Sequence, residues 1–149
     1  RNPGHTVAKL LDPIVAAPGS RTMRVVNHTH PEYALSLKAY LQETQANALL
    51  MRGTEGEPVA DPRRQPRFDV YIHGAHHESL SRAPLDGVLT ELPELPDGFD
   101  TTSTARYIES IMSGQQVLPM SIAAQVACLR QALQTLRADK TPIIPDKTP

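Results

Sequence analysis

The spacing of apolar residues changes several times along this chain, and each change marks an element. Val7 to Leu11 is a helix-like apolar run, so a first helix is expected from about His5 to Leu11. It stops before Pro13, whose ring cannot continue it. Pro18-Gly19 reads as a turn ahead of a short strand, Met23 to Asn27. Thr29-His30-Pro31-Glu32 then has the form of a capping box. Thr29 caps the first amides, Glu32 returns a hydrogen bond, and Pro31 sits where a helix needs no donor. The helix that follows carries Ala34, Leu35, Leu37, Ala39, Tyr40 and Leu41 toward a core and fades near Gln45.

Ala48-Leu49-Leu50-Met51 is continuously apolar, as expected of a parallel strand covered on both faces. Its neighbour is Phe68 to His73, closed by Gly74, and Gly87 to Thr90 reads as a further short strand. Strand, helix and strand in the first half predict a βαβ unit with a right-handed crossover. The connection from Arg52 to Phe68 is polar and rich in Pro and Arg. It is long for a passive loop and is expected to border a site. A helix over about Thr102 to Met112 turns Ala105, Ile108, Ile111 and Met112 inward and ends at Gly114. A last helix over about Ser121 to Leu136 buries Ile122, Val126, Leu129, Leu133 and Leu136, which recur every three or four residues. Residues 1–138 read as one α/β domain and residues 139–149 as a Pro-rich tail.

Composition narrows the picture. A chain of 149 residues fits a single domain. With no Trp and two Phe, its core must rest on Leu, Val, Ile and Ala. The formal charge of -1 argues against a uniformly basic domain that coats nucleic acid, so any such contact must come from a local patch. The single Cys128 rules out an internal disulfide and fits a reducing, cytoplasmic setting. No apolar stretch reaches the ~18 residues of a membrane span. The chain opens on Arg1-Asn2-Pro3-Gly4-His5-Thr6 without an initiator Met, which reads as the interior of a larger protein.

Candidate chemistry gathers in two places. Arg1, His5 and Thr6 fall at an expected helix N-terminus, where free amides favour an anion, and Lys9 lies one turn on. The alternative is plain capping. Arg52 and Gly53 follow a strand directly, and ligands of open α/β sheets gather at the carboxyl ends of strands. Arg63, Arg64 and Arg67 form the strongest local positive cluster, suited to phosphate oxygens. The competing reading is a solvated loop paired to Asp61 and Asp69. The histidines at 28, 30, 73, 76 and 77 match no compact metal-ligand spacing, and no nucleophile–base arrangement is evident in the sequence. Ser103 or Thr102 is the expected cap of the penultimate helix, and Cys128 is expected in the core.

Several short pieces arrive together in a familiar order. They are Arg1-Asn2 with Gly4-His5-Thr6, Lys9-Leu10-Leu11-Asp12-Pro13, Thr29-His30-Pro31-Glu32-Tyr33, Leu49 to Pro58, Asp61-Pro62-Arg63-Arg64, and Ser103-Thr104-Ala105-Arg106. From Arg1 to about Leu136 the chain resembles the C-terminal α/β region of the anthranilate phosphoribosyltransferase superfamily. The nearer resemblance is to its DNA-binding, YbiB-type paralogues, often labelled glycosyl transferase family proteins. The resemblance implies part of a nucleoside phosphorylase/phosphoribosyltransferase-like mixed sheet flanked by helices. Beside it would lie a helical domain upstream of Arg1.

In the enzymes an Asp-Glu pair after the second strand helps hold Mg²⁺ with phosphoribosyl pyrophosphate. The counterpart here is Gly56-Glu57-Pro58 without the Asp, leaving Glu57 and nearby Glu55 as weak metal candidates. The implied function is therefore non-catalytic binding of a DNA or RNA backbone by a homodimer, without a cofactor. Arg1, His5, Thr6, Lys9, Arg52, Gly53, Arg63, Arg64 and Arg67 would make the contacts. The alternative is a phosphoribosyl transferase using Mg²⁺ and phosphoribosyl pyrophosphate.

Overall fold

The computed structural model describes residues 8, 10–12, 14, 17, 20–54, 56–87, 89, 91, 93–96, 98 and 100–139. The first expected helix therefore lies largely outside the described residues, as do Arg1, His5, Thr6, Lys9 and Glu55. The remainder is an α/β fold: a mixed four-stranded sheet flanked by three helices.

Strand β1 (Arg24–His28) runs parallel to β2 (Ala48–Arg52), and helix α1 (Pro31–Glu43) connects them. Strand β3 (Phe68–Ile72) then pairs antiparallel to β2, and β4 (Ala75–His76) pairs antiparallel to β3. The order across the sheet is β1-β2-β3-β4. A two-residue turn makes the last hairpin. His73 and Gly74 both take positive φ, 49° and 75°, the mirror-image turn that matches strand twist. The expected strand at 87–90 is not found at its described residues. Gly87 and Leu89 belong to no strand, and the Leu89 amide instead donates to the Arg63 carbonyl at 3.0 Å.

Side-chain alternation along β2 and β3 builds two cores, one on each face. Leu49 and Met51 of β2 join Phe68, Val70 and Ile72 of β3 beneath helix α3 (Met120–Ala138). Ala48 and Leu50 face the other way with Tyr71, against Val26 and the α1 residues Leu37 and Leu41. Burial on both faces is why these strands read as continuous apolar runs. Period two also places Asp69 on the α1 side of the sheet, one residue out of step with Phe68 and Val70.

The helices depart from expectation in ways that have physical causes. Helix α1 is capped at His30 without a side-chain hydrogen bond, so the Thr29–Glu32 capping box does not form. Its buried residues are Leu37 and Leu41, while Leu35 is 74% exposed. Helix α2 (Thr101–Met112) is capped by Asp100, not by Thr102 or Ser103. The Asp100 carboxylate accepts the Thr102 and Ser103 amides at 2.9 and 3.0 Å. Its expected inner residues Ile108 and Met112 are exposed, and none of its side chains is buried.

Helix α3 is rotated by about one residue from its apolar stripe. It buries Ser121, Gln125, Cys128, Ala132 and Leu136, and it leaves Val126 exposed. Two of those buried residues are polar because they hold the Arg-rich connection. Gln125 Nε2 donates to the Pro58 carbonyl at 2.9 Å, and its Oε1 accepts the Ala60 amide at 2.8 Å. Ser121 Oγ donates to the Asp61 carbonyl at 2.6 Å. Buried polar atoms must find partners, and these partners outweigh the cost of leaving Val126 in water.

Candidate polyanion cleft

The parallel strands β1 and β2 end side by side at His28 and Arg52, where two loops enclose a cleft of about 750 Å³. Arg52, Arg63, Arg64 and Arg67 all line it, as does Gly53. The four arginines proposed from the sequence thus share one concavity, placed at the carboxyl ends of the parallel pair. The connection that carries three of them is no loose loop. Helix α3 grips it from one side through Ser121 and Gln125. From the other, the Leu85 and Leu89 amides donate to the Gln65 and Arg63 carbonyls.

Acids balance part of this charge. Asp61 accepts both Nε and Nη2 of Arg63, at 2.9 and 3.0 Å, and lies 3.6 Å from Arg64 Nε. The Arg63 hydrogen bond is the main cause of a carboxyl pKa below the ordinary value. Asp69 is buried at 4% exposure and accepts Arg67 Nε at 2.6 Å on Oδ1 and Lys38 Nζ at 3.0 Å on Oδ2. Burial by itself would raise its carboxyl, but the Arg67 and Lys38 bonds outweigh that and hold it low. The same bond pushes the Arg67 guanidinium up.

The pairing expected of a solvated loop is present: Arg63 and Arg64 pair with Asp61, and Arg67 pairs with Asp69. Each carboxylate is shared by two cleft cations, and Arg67 also lies 3.9 Å from Glu78, so the surplus positive charge lies with Arg63 and Arg64 over Asp61. Among the described residues Arg52 makes no ion pair. Lys38, Arg52, Arg63, Arg64 and Arg67 together meet Asp61, Asp69 and Asp86 along the cleft wall.

Gly53 serves the protein's own packing. A Cβ there would collide with Asn27 Nδ2 and the Glu57 carbonyl. Asn27 is buried, and its Nδ2 donates to the Gly56 carbonyl at 2.7 Å, which ties the 53–57 turn to β1. His28 also lines the cleft, and burial holds its pKa below the ordinary histidine value.

The sequence does not single out Lys38, and it shows His76 only as one of several histidines without a metal-ligand spacing. Lys38 lies on α1, remote in sequence from every arginine cluster, and only the alternation that turns Asp69 toward α1 signals it. His76 closes a cluster assembled in space, its Nε2 3.1 Å from Ser81 Oγ and 3.2 Å from Asp69 Oδ1. This is not a nucleophile–base pair. Ser81 Oγ donates its proton to the His77 carbonyl at 2.7 Å and accepts the Val70 amide at 2.9 Å. The cluster braces β3 and β4. Cys128 is fully buried, as expected, and donates to the Leu80 carbonyl, and Phe68 and Tyr71 are core residues.

Glu57 is exposed and bridges back to Thr54. Among the described residues no group of three or more His, Cys, Asp or Glu converges as a metal site. No described helix is long and apolar enough to cross a membrane.

The architecture is thus an α/β scaffold with a cation-lined cleft at the ends of its parallel strands. No family model matches the chain. It is 33% identical over 128 residues to "Uncharacterized protein YbiB" of Escherichia coli (strain K12), and the match takes in 86% of this chain. The chain is homologous to YbiB over this stretch. The matched region is 38% of that relative's length.

Proposed function

We propose that this protein binds the backbone of DNA or RNA without sequence preference, on a phosphoribosyltransferase-like scaffold. The observation that carries the reading is the convergence of Arg52, Arg63, Arg64 and Arg67 on one cleft. Guanidinium groups suit phosphate oxygens, and contacts of this kind give affinity without reading bases. The homology to YbiB supports the scaffold half of the reading. In a longer protein that forms a homodimer, two such clefts would be available to one strand. A Mg²⁺-dependent phosphoribosyl transfer has less behind it, because the Asp of the enzymes' Asp-Glu pair is missing before Glu57.

The test is a titration of labelled mixed-sequence oligonucleotides, single- and double-stranded, across a salt series. Affinity should fall steeply as salt rises and should depend little on sequence. An Arg63→Ala/Arg64→Ala/Arg67→Ala variant that folds and binds undiminished would remove the basis of the proposal.

A further inference from the structure

The cleft has two cationic walls, and only one of them is the Arg-rich connection. Lys38 enters the cleft from α1, and Asp69 lies between the heads of Lys38 and Arg67. Its Oδ2 receives Lys38 at 3.0 Å, and its Oδ1 receives Arg67 at 2.6 Å and His76 at 3.2 Å. Arg67 has a second acid, Glu78, at 3.9 Å, whereas Lys38 pairs with Asp69 alone among the described residues. Lys38 Nζ has three N–H donors, and one serves Asp69. Its side chain is 36% exposed, in the wall of the cleft. Its charge reaches His28 at the end of β1, as does that of Arg52 at the end of β2. Lys38 and Arg52 line the same cleft as Arg63, Arg64 and Arg67.

We propose that Lys38 is a polyanion contact, so that a phosphate chain is seated between two walls and does not merely lie on the Arg-rich connection. The inference rests on the nucleic-acid reading above and adds a residue on a separate element. Asp69 is the positioning residue: buried, it holds the heads of Lys38 and Arg67 through its two oxygens at the edge of the seat. The seat recognises phosphate spacing and charge, so inorganic polyphosphate should compete for it with nucleic acid.

The experiment measures binding of a labelled mixed-sequence oligonucleotide over a salt series for the wild type, Lys38→Gln, Lys38→Arg, Arg64→Gln and Arg106→Gln. Arg106 is exposed on α2, away from the cleft, and is the control. A lost phosphate contact lowers the log–log salt slope by about 0.9 on duplex and about 0.7 on single strands. Lys38→Gln and Arg64→Gln should each show that drop, Lys38→Arg should restore it, and Arg106→Gln should leave it unchanged. A merely structural lysine would weaken binding without moving the slope.

In parallel, the wild-type chain is acetylated at its amines with and without the oligonucleotide, and bound strand should protect Lys38. Wild-type slope in Lys38→Gln with a reduced slope in Arg64→Gln would overturn this inference and leave the function standing. Equal acetylation of Lys38 in both states would overturn it even if Lys38→Gln fails to fold. Unchanged slopes in both variants would sink the nucleic-acid reading itself.

Discussion

Gln125 reaches from α3 to the Arg-rich connection and satisfies the Ala60 amide at 2.8 Å, while its other end donates to the Pro58 carbonyl at 2.9 Å. One buried side chain thereby fixes the backbone that leads into Asp61, Arg63 and Arg64. Gln125→Leu would leave the Ala60 amide buried without its partner, at a cost of roughly 1–3 kcal/mol. We expect a lower melting temperature, faster amide exchange across residues 58–67, and weaker oligonucleotide binding although no cation has been removed.

Gly53→Ala should be disruptive for a different reason. The new methyl meets Asn27 and the Glu57 carbonyl, the latter being backbone that cannot swing aside. Overpacking of this kind costs about 1–3 kcal/mol. A chemical denaturation curve with lowered midpoint and unchanged slope would match it. A neutral result would show that the 53–57 turn moves freely.

The rotation of α3 predicts opposite outcomes on neighbouring faces. Ala132 is fully buried, so Ala132→Leu should overpack the core and destabilise by about 1–3 kcal/mol. Val126 is 45% exposed, so Val126→Ser should stay within about 0.5 kcal/mol. Thermal melts of the two variants would reverse this order if the apolar stripe itself faced inward.

Stability should fall on acidification in two ranges. His28 is depressed, so below the ordinary histidine pKa the unfolded chain takes up a proton that the folded one refuses. Stability is full above that pKa and is lost as pH falls toward the folded value. Asp61 and Asp69 are also depressed, so their contributions are present above the ordinary carboxylate pKa and vanish as pH drops through the folded values. Urea titrations at stepped pH should show a flatter upper range in His28→Gln and a flatter acid range in Asp69→Asn. Asp69→Asn should also lose on the order of 1.5–3 kcal/mol near neutrality, as charged hydrogen bonds weaken.

Strands and helices were legible in the sequence because burial on both sheet faces leaves runs such as Ala48–Met51, and amphipathic helices leave a repeat. Which helix face turns inward was not legible. Ser121 and Gln125 look like surface residues until the connection they bind is in place, and hydropathy cannot see a hydrogen-bond partner sixty residues away. The β3–β4 hairpin was missed because His73-Gly74 makes its turn with a histidine in a conformation it seldom adopts. At the site, clustered arginines betray themselves in sequence. Lys38 and its acid do not, being joined only through the alternation of β3 and the packing of α1.

That alternation has a consequence for how the chain finds its pairing. A slip of β3 by one position against β2 would thrust the Asp69 carboxylate into the greasy layer under α3 and strand Phe68 beside an ammonium group. Both errors are punished at once, so the charged node on the strand acts as a proofreading mark for strand alignment before any ligand arrives.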